Sequence, residues 1–145
     1  MDRQQRAEDL FHNGYTCSQS VVLAYADILG VDEDILASIS APFGGGIGRL
    51  REVCGAVSGG VMVLSLITGL NTLIPNEKIE LYALEREFAE RFKEKVGSYI
   101  CRDILEVYPH GDTHNSHKPA CRKLVGTAVE IIEEIRTRLK DKDRL

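Results

Sequence analysis

The sequence predicts an all-α protein, a compact helical bundle packed around a buried central helix that contains glycines. Three observations predict it. Apolar residues return every three or four positions in several segments, as one face of a helix requires. No segment alternates β-branched and polar residues as a half-buried strand would. One segment, from Val57 to Ile67, is apolar nearly all round, and such a helix is expected to be surrounded by others.

The elements follow in order. A polar helix ends near "FHNG", where Gly14 supplies the turn. From about Thr16 to Leu29 a second helix carries Val21, Tyr25 and Ile28 at i, i+4 and i+7, with Val22 and Leu29 beside them and Gly30 as C-terminal cap. "DEDILASISAPF" reads as a short helix ended by Pro42. The apolar central helix opens after the glycine-rich stretch that contains Cys54. The longest surface helix starts near Pro75 and aligns Leu81, Leu84, Phe88 and Phe92 on one stripe, with Glu87 and Arg91 at favourable charge spacing on another. The last helix opens at Pro119 and carries Leu124, Ala128, Ile131, Ile135 and Leu139 along one side. Between these two, Tyr108 to Pro119 reads as an irregular stretch, "YPHGDTHNSHKP", bracketed by prolines.

A length of 145 residues fits a single domain over 1–145 with one ordinary core. With 28% charged residues, a net charge of -4 and no basic stripe, nucleic acid is excluded as the expected partner. The charged start "MDRQQRAEDLF" lacks the apolar stretch of a secretory signal, so the expected compartment is the cytoplasm, where thiols stay reduced. Val61 to Leu70, the most apolar run, is shorter than the ~20 residues of a membrane span, and no membrane insertion is expected. An oligomer is compatible with the pattern but not required by it.

"APFGGGIGRLREVCGAVSGG", from Ala41 to Gly60, is the most unusual stretch. It fails as a dinucleotide fingerprint, because Arg49 or Arg51 stands where the third glycine should be and no strand precedes it. A P-loop fails too, for want of a Gly-Lys-Ser/Thr triplet. Ser58 and Ser65 lack the Gly-x-Ser-x-Gly context of a hydrolase nucleophile. The glycines are better read as shaping the approach to Cys54. Gly55 and Gly59 fall four apart on one helical face, where a missing side chain lets a neighbouring helix, or a cofactor held beside Cys54, approach the backbone.

The four cysteines, Cys17, Cys54, Cys101 and Cys121, contain no Cys-x-x-Cys pair, which excludes a local zinc knuckle or a thioredoxin-type motif. Each is expected in a first helical turn. Cys17 follows Thr16, an N-cap type; Cys54 opens the central helix; Cys101 follows Ser98, a second N-cap candidate; Cys121 follows Pro119. A helix start favours thiolate over thiol, and thiolates attack disulfides and ligate metals. Arg51, three residues before Cys54, is expected to add to the effect there, and Cys54 is the expected attacker. Against this stands the plain packing reading, in which cysteines are small core residues.

Cys17, the segment "CGAVSG" (Cys54 to Gly59), Cys101 and Cys121 together resemble the C_GCAxxG_C_C family, described as redox-active. The resemblance covers nearly the whole chain and implies that the four thiols act together. Three classes of function remain open at this stage. One is thiol/disulfide or electron-transfer chemistry, which includes a thiol-dependent oxidoreductase with an unidentified redox partner, with the four cysteines as catalytic residues. Another is a module whose four cysteines bind zinc or an iron-sulfur cluster. The third is a helical interaction protein with passive thiols. His110, His114 and His117 fall at i, i+4 and i+7, but Gly111 argues for solvated loop histidines rather than a metal-binding face.

Overall fold

The structure is a computed structural model that describes residues 2–107, 118–142 and 145. Among these residues the fold is all-α, as the apolar spacing predicts. Helix α1 (Arg3–His12) begins where the Asp2 carboxylate accepts the Gln5 amide at 2.7 Å, and the chain turns at Gly14 with φ 111°. The predicted helix from Thr16 to Leu29 is two pieces, α2 (Cys17–Leu23) and α3 (Ala26–Leu29). The break falls at Tyr25, whose backbone leaves the helical region (φ -113°, ψ 8°). There the ring is fully buried, its hydroxyl donates to Glu133 at 2.9 Å, and the Arg3 guanidinium stacks 4.8 Å above it. The change of direction also turns Ile28 outward, 43% exposed, although its spacing assigns it to the core.

Helix α4 (Glu33–Ser40) is capped by Asp32 and passes through a 3-10 turn containing Pro42. A short turn, α5 (Gly44–Ile47), precedes the central helix α6 (Gly55–Thr68). Helices α7 (Pro75–Val96), α8 (Cys101–Val107) and α9 (Lys118–Asp141) complete the order. The α7 stripe of Leu81, Leu84, Phe88 and Phe92 and the α9 stripe of Leu124, Ala128, Ile131, Ile135 and Leu139 are all buried. Glu87 joins the two helices, accepting Arg138 in a two-pronged pair at 2.7 and 2.8 Å and Arg91 at 2.8 Å.

Helix α6 packs against α2, α7 and α9, but it is not enclosed on every side. Leu66 is exposed, and Val61, Met62 and Ile67 are half-buried, because neighbouring helices cover the Val57, Val63 and Leu64 side and leave this edge open. Its glycines have the packing role that their spacing suggests. A Cβ on Gly59 would lie 2.8 Å from the Ser18 carbonyl oxygen in α2, and one on Gly60 would lie 2.2 Å from the Phe88 ring in α7. Among the described residues the only β-type pairing is an isolated antiparallel bridge between Val53 and Ile100.

Candidate thiol site

The four cysteines are delivered to one place by four different elements. Cys17 opens α2 under a capping box: the Thr16 hydroxyl accepts the Gln19 amide at 3.2 Å, and the Gln19 side chain accepts the Thr16 amide at 3.0 Å. This helix start is then tied to α4. Buried Ser18 donates to the Ser40 carbonyl at 2.6 Å, and Gln19 donates to the Ala37 carbonyl at 2.9 Å.

Cys54 is the N-cap residue of α6, one position before the first turn, and its amide donates to the Tyr99 carbonyl at 2.8 Å. On the opposite side of the Val53–Ile100 bridge, the Cys101 amide donates to the Glu52 carbonyl at 2.6 Å. Cys54 and Cys101 are thereby fixed to each other's strand-like segment. Cys101 opens α8; Ser98, rather than capping that helix at its first amide, accepts the Ile100 amide at 3.0 Å. Cys121 lies in the first turn of α9.

These cysteines line a single cavity of about 30 Å³, closed on its dry side by Ile104, Leu105 and Leu124. That is room for a water-sized group. Gly45, Gly46 and Gly55 form part of the wall. Gly46 has no alternative, since a Cβ there would fall 2.8 Å from that of Cys101 and 2.6 Å from the Glu52 amide nitrogen. Gly59, grouped with Gly55 from sequence as a cofactor-approach position, faces Ser18 in α2 instead.

The glycine stretch has an uncommon backbone. Five consecutive residues, Gly45, Gly46, Ile47, Gly48 and Arg49, have φ between 55° and 68°, and Arg51 follows at 62°. L-residues in this region cost roughly 1–2 kcal/mol each, and a branched side chain such as that of Ile47 is especially disfavoured. The turn is held by bonds across it: the Gly48 amide to the Pro42 carbonyl at 3.0 Å, Arg51 to Gly45 at 3.2 Å, and Glu52 to Gly46 at 3.0 Å. The surrounding bonds over-determine the turn and so hold these residues in their sparsely populated conformation beside the cavity.

Its consequence is the position of Arg51. The guanidinium lies 3.7 Å from the Cys101 sulfur, a partner that proximity in sequence, which points to Cys54, does not suggest. The left-handed turn redirects the side chain, which sequence spacing on a helix does not anticipate.

The thiols differ sharply in their protonation. Burial pushes Cys54 up to about 12, although the Ala56 and Val57 amides at the α6 start pull the other way. Cys101 is also raised, by burial, against the downward pull of Arg51. A hydrogen bond to the Cys121 sulfur, together with burial, holds the Cys17 proton well above the ordinary thiol range. Cys121 alone is lowered, chiefly because Cys17 donates to it and secondarily because of the Arg51 charge. The expectation of a thiolate at every helix start is therefore corrected: desolvation outweighs the partial charge of a helix end at Cys54 and Cys101, and at Cys17 the interaction with Cys121 leads, with burial behind it.

Among the described residues no group of three or more His, Cys, Asp and Glu side chains has the arrangement to hold a metal ion. His110, His114 and His117 lie outside the described residues. No helix among the described residues is long and apolar enough to cross a membrane.

Neither a search of curated proteins nor one of solved structures returned a match. A protein-family model, C_GCAxxG_C_C, described as "Putative redox-active protein", matches residues 15–135 and so takes in all four cysteines. The chain belongs to the C_GCAxxG_C_C family.

Proposed function

We propose that this protein is a thiol-dependent oxidoreductase in which Cys121 attacks and Cys17 resolves. The observation that carries the reading is the convergence of all four cysteines on one cavity, in which the Cys17 and Cys121 thiols interact and the proton favours Cys17. One proton held between two sulfurs leaves Cys121 the better nucleophile and Cys17 next to it.

In the oxidising direction, the Cys121 thiolate attacks one sulfur of a substrate disulfide, forming a mixed disulfide and expelling the first substrate thiolate. Cys17 then loses its proton to solvent and attacks the Cys121 sulfur, expelling the second. Two electrons pass from the protein to the substrate, which leaves as two thiols, and the protein keeps a Cys17–Cys121 disulfide. Cys54, the attacker expected from sequence, is too firmly protonated for that role. With Cys101 it forms the protonated wall of the cavity.

A glutathione redox titration with mass-spectrometric mapping tests this. The expected result is a single two-electron couple linking Cys17 to Cys121. Thiols that oxidise only after denaturation, or a different linked pair, overturn it.

A further inference from the structure

We propose that the site takes a small disulfide bearing carboxylates, selected by Arg49 and Arg51. This names a substrate class for the dithiol reading above and rests on it. Both arginines reach the cavity wall at Gly45: a Cβ there would fall 2.9 Å from Arg49 Cγ and 3.8 Å from an Arg51 terminal nitrogen. Among the described residues neither arginine forms an ion pair with a carboxylate. Glu52, the acidic residue next to Arg51, is held by Arg102 at 3.2 Å. Two arginines beside one wall glycine, with no carboxylate partner among the described residues, are notable on a chain of net charge -4. They are held there by backbone conformations that arginine adopts only under strain, φ 68° and 62°.

The chemistry of a guanidinium suits a carboxylate, which it can meet with two parallel hydrogen bonds. Arg51 lines the cavity with Cys121, where its charge can also stabilise the negative charge spread over three sulfurs as one thiolate displaces another. Arg49 is exposed and further out, where it can attract the substrate's own charge. The cavity is far too small to admit the disulfide whole, so the sulfur–sulfur bond is presented to half-buried Cys17 and Cys121 from the cavity mouth, where a small molecule meets less obstruction than a protein surface.

The test compares two disulfide probes on the fully reduced protein by stopped flow: 5,5′-dithiobis(2-nitrobenzoate), which is dianionic, and neutral 4,4′-dithiodipyridine. The expected result is that Arg49→Gln lowers the anionic-to-neutral ratio of rate constants about tenfold, and that added salt does the same to the wild type. Arg49→Lys, which keeps the charge, restores most of the ratio. A ratio unchanged by both Arg49→Gln and salt overturns the substrate class while leaving the dithiol reading standing. Failure of either probe to produce a Cys17–Cys121 disulfide overturns the dithiol reading itself, whatever the ratio. Circular dichroism of each variant separates these results from misfolding.

Discussion

Gly59 in α6 lies against the backbone of Ser18 in α2 so closely that a methyl group on Gly59 would sit 2.8 Å from the Ser18 carbonyl oxygen. Because Ser18 is the neighbour of Cys17, this contact sets the distance between the helix that carries Cys17 and the helix that Cys54 caps.

Gly59→Ala therefore forces the two helices apart, and the expected loss is about 1–3 kcal/mol, the usual range for overpacking a core. Gly126→Ala is the contrast. In α9 the added methyl meets only the movable end of the Glu8 side chain at 3.0 Å, and the gain in helix propensity, up to about 1 kcal/mol, favours a neutral or stabilised protein. Urea unfolding of both variants measures the difference, and equal losses would show that the close approach is unimportant.

Alkylation should separate the thiols. With iodoacetamide at neutral pH, Cys121 is expected to react first, and Cys121→Ser removes the fast phase. Cys54→Ser should retain it, because the Cys54 thiol is both buried and firmly protonated. Peptide mapping of partly labelled protein identifies the order, and a first label on Cys54 contradicts it.

Cys54 also makes stability sensitive to alkali. Its folded value, about 12, lies above the unfolded one near 9, so its contribution is complete below about pH 9 and is lost as pH rises towards 12. Within that window each thiol of this kind steepens the fall by up to about 1.4 kcal/mol per pH unit. Denaturation of the wild type and Cys54→Ala between pH 8 and pH 11 should show the shallower slope in the variant, whatever its stability at neutral pH.

Oxidation should stabilise the fold. A Cys17–Cys121 disulfide closes a loop of about a hundred residues, for which chain entropy predicts a gain of about 4–5 kcal/mol. Thermal melting of oxidised and reduced protein measures this, and the difference should vanish in Cys17→Ser.

Much of the fold was legible because helical period is a local property. The α7 and α9 stripes are buried at every residue that spacing assigned to them, and Gly14 and Gly30 turn the chain where expected. The Thr16 cap was readable for the same reason, since its partner Gln19 is three residues away. What escaped was decided by contacts distant in sequence. The break at Tyr25 accompanies a hydrogen bond to Glu133, and nothing between Val21 and Leu29 announces it. Arg51 was noticed beside Cys54, but its bond to Cys101 was not, because that cysteine lies fifty positions on and meets it across the left-handed turn. The thiol ranking was misjudged for a similar reason: a helix start is visible in sequence, whereas the desolvation that overrides it exists only after packing.

Four separate elements each contribute one sulfur to the cavity, and this has a consequence for how reactivity arises. A local motif would be reactive in a fragment or an unfolded chain. Here the unfolded polypeptide holds four ordinary, widely spaced thiols, and a chain halted before Cys121 lacks one side of the cavity altogether. Any reactivity of this cavity thus belongs to the assembled fold and to no stretch of it.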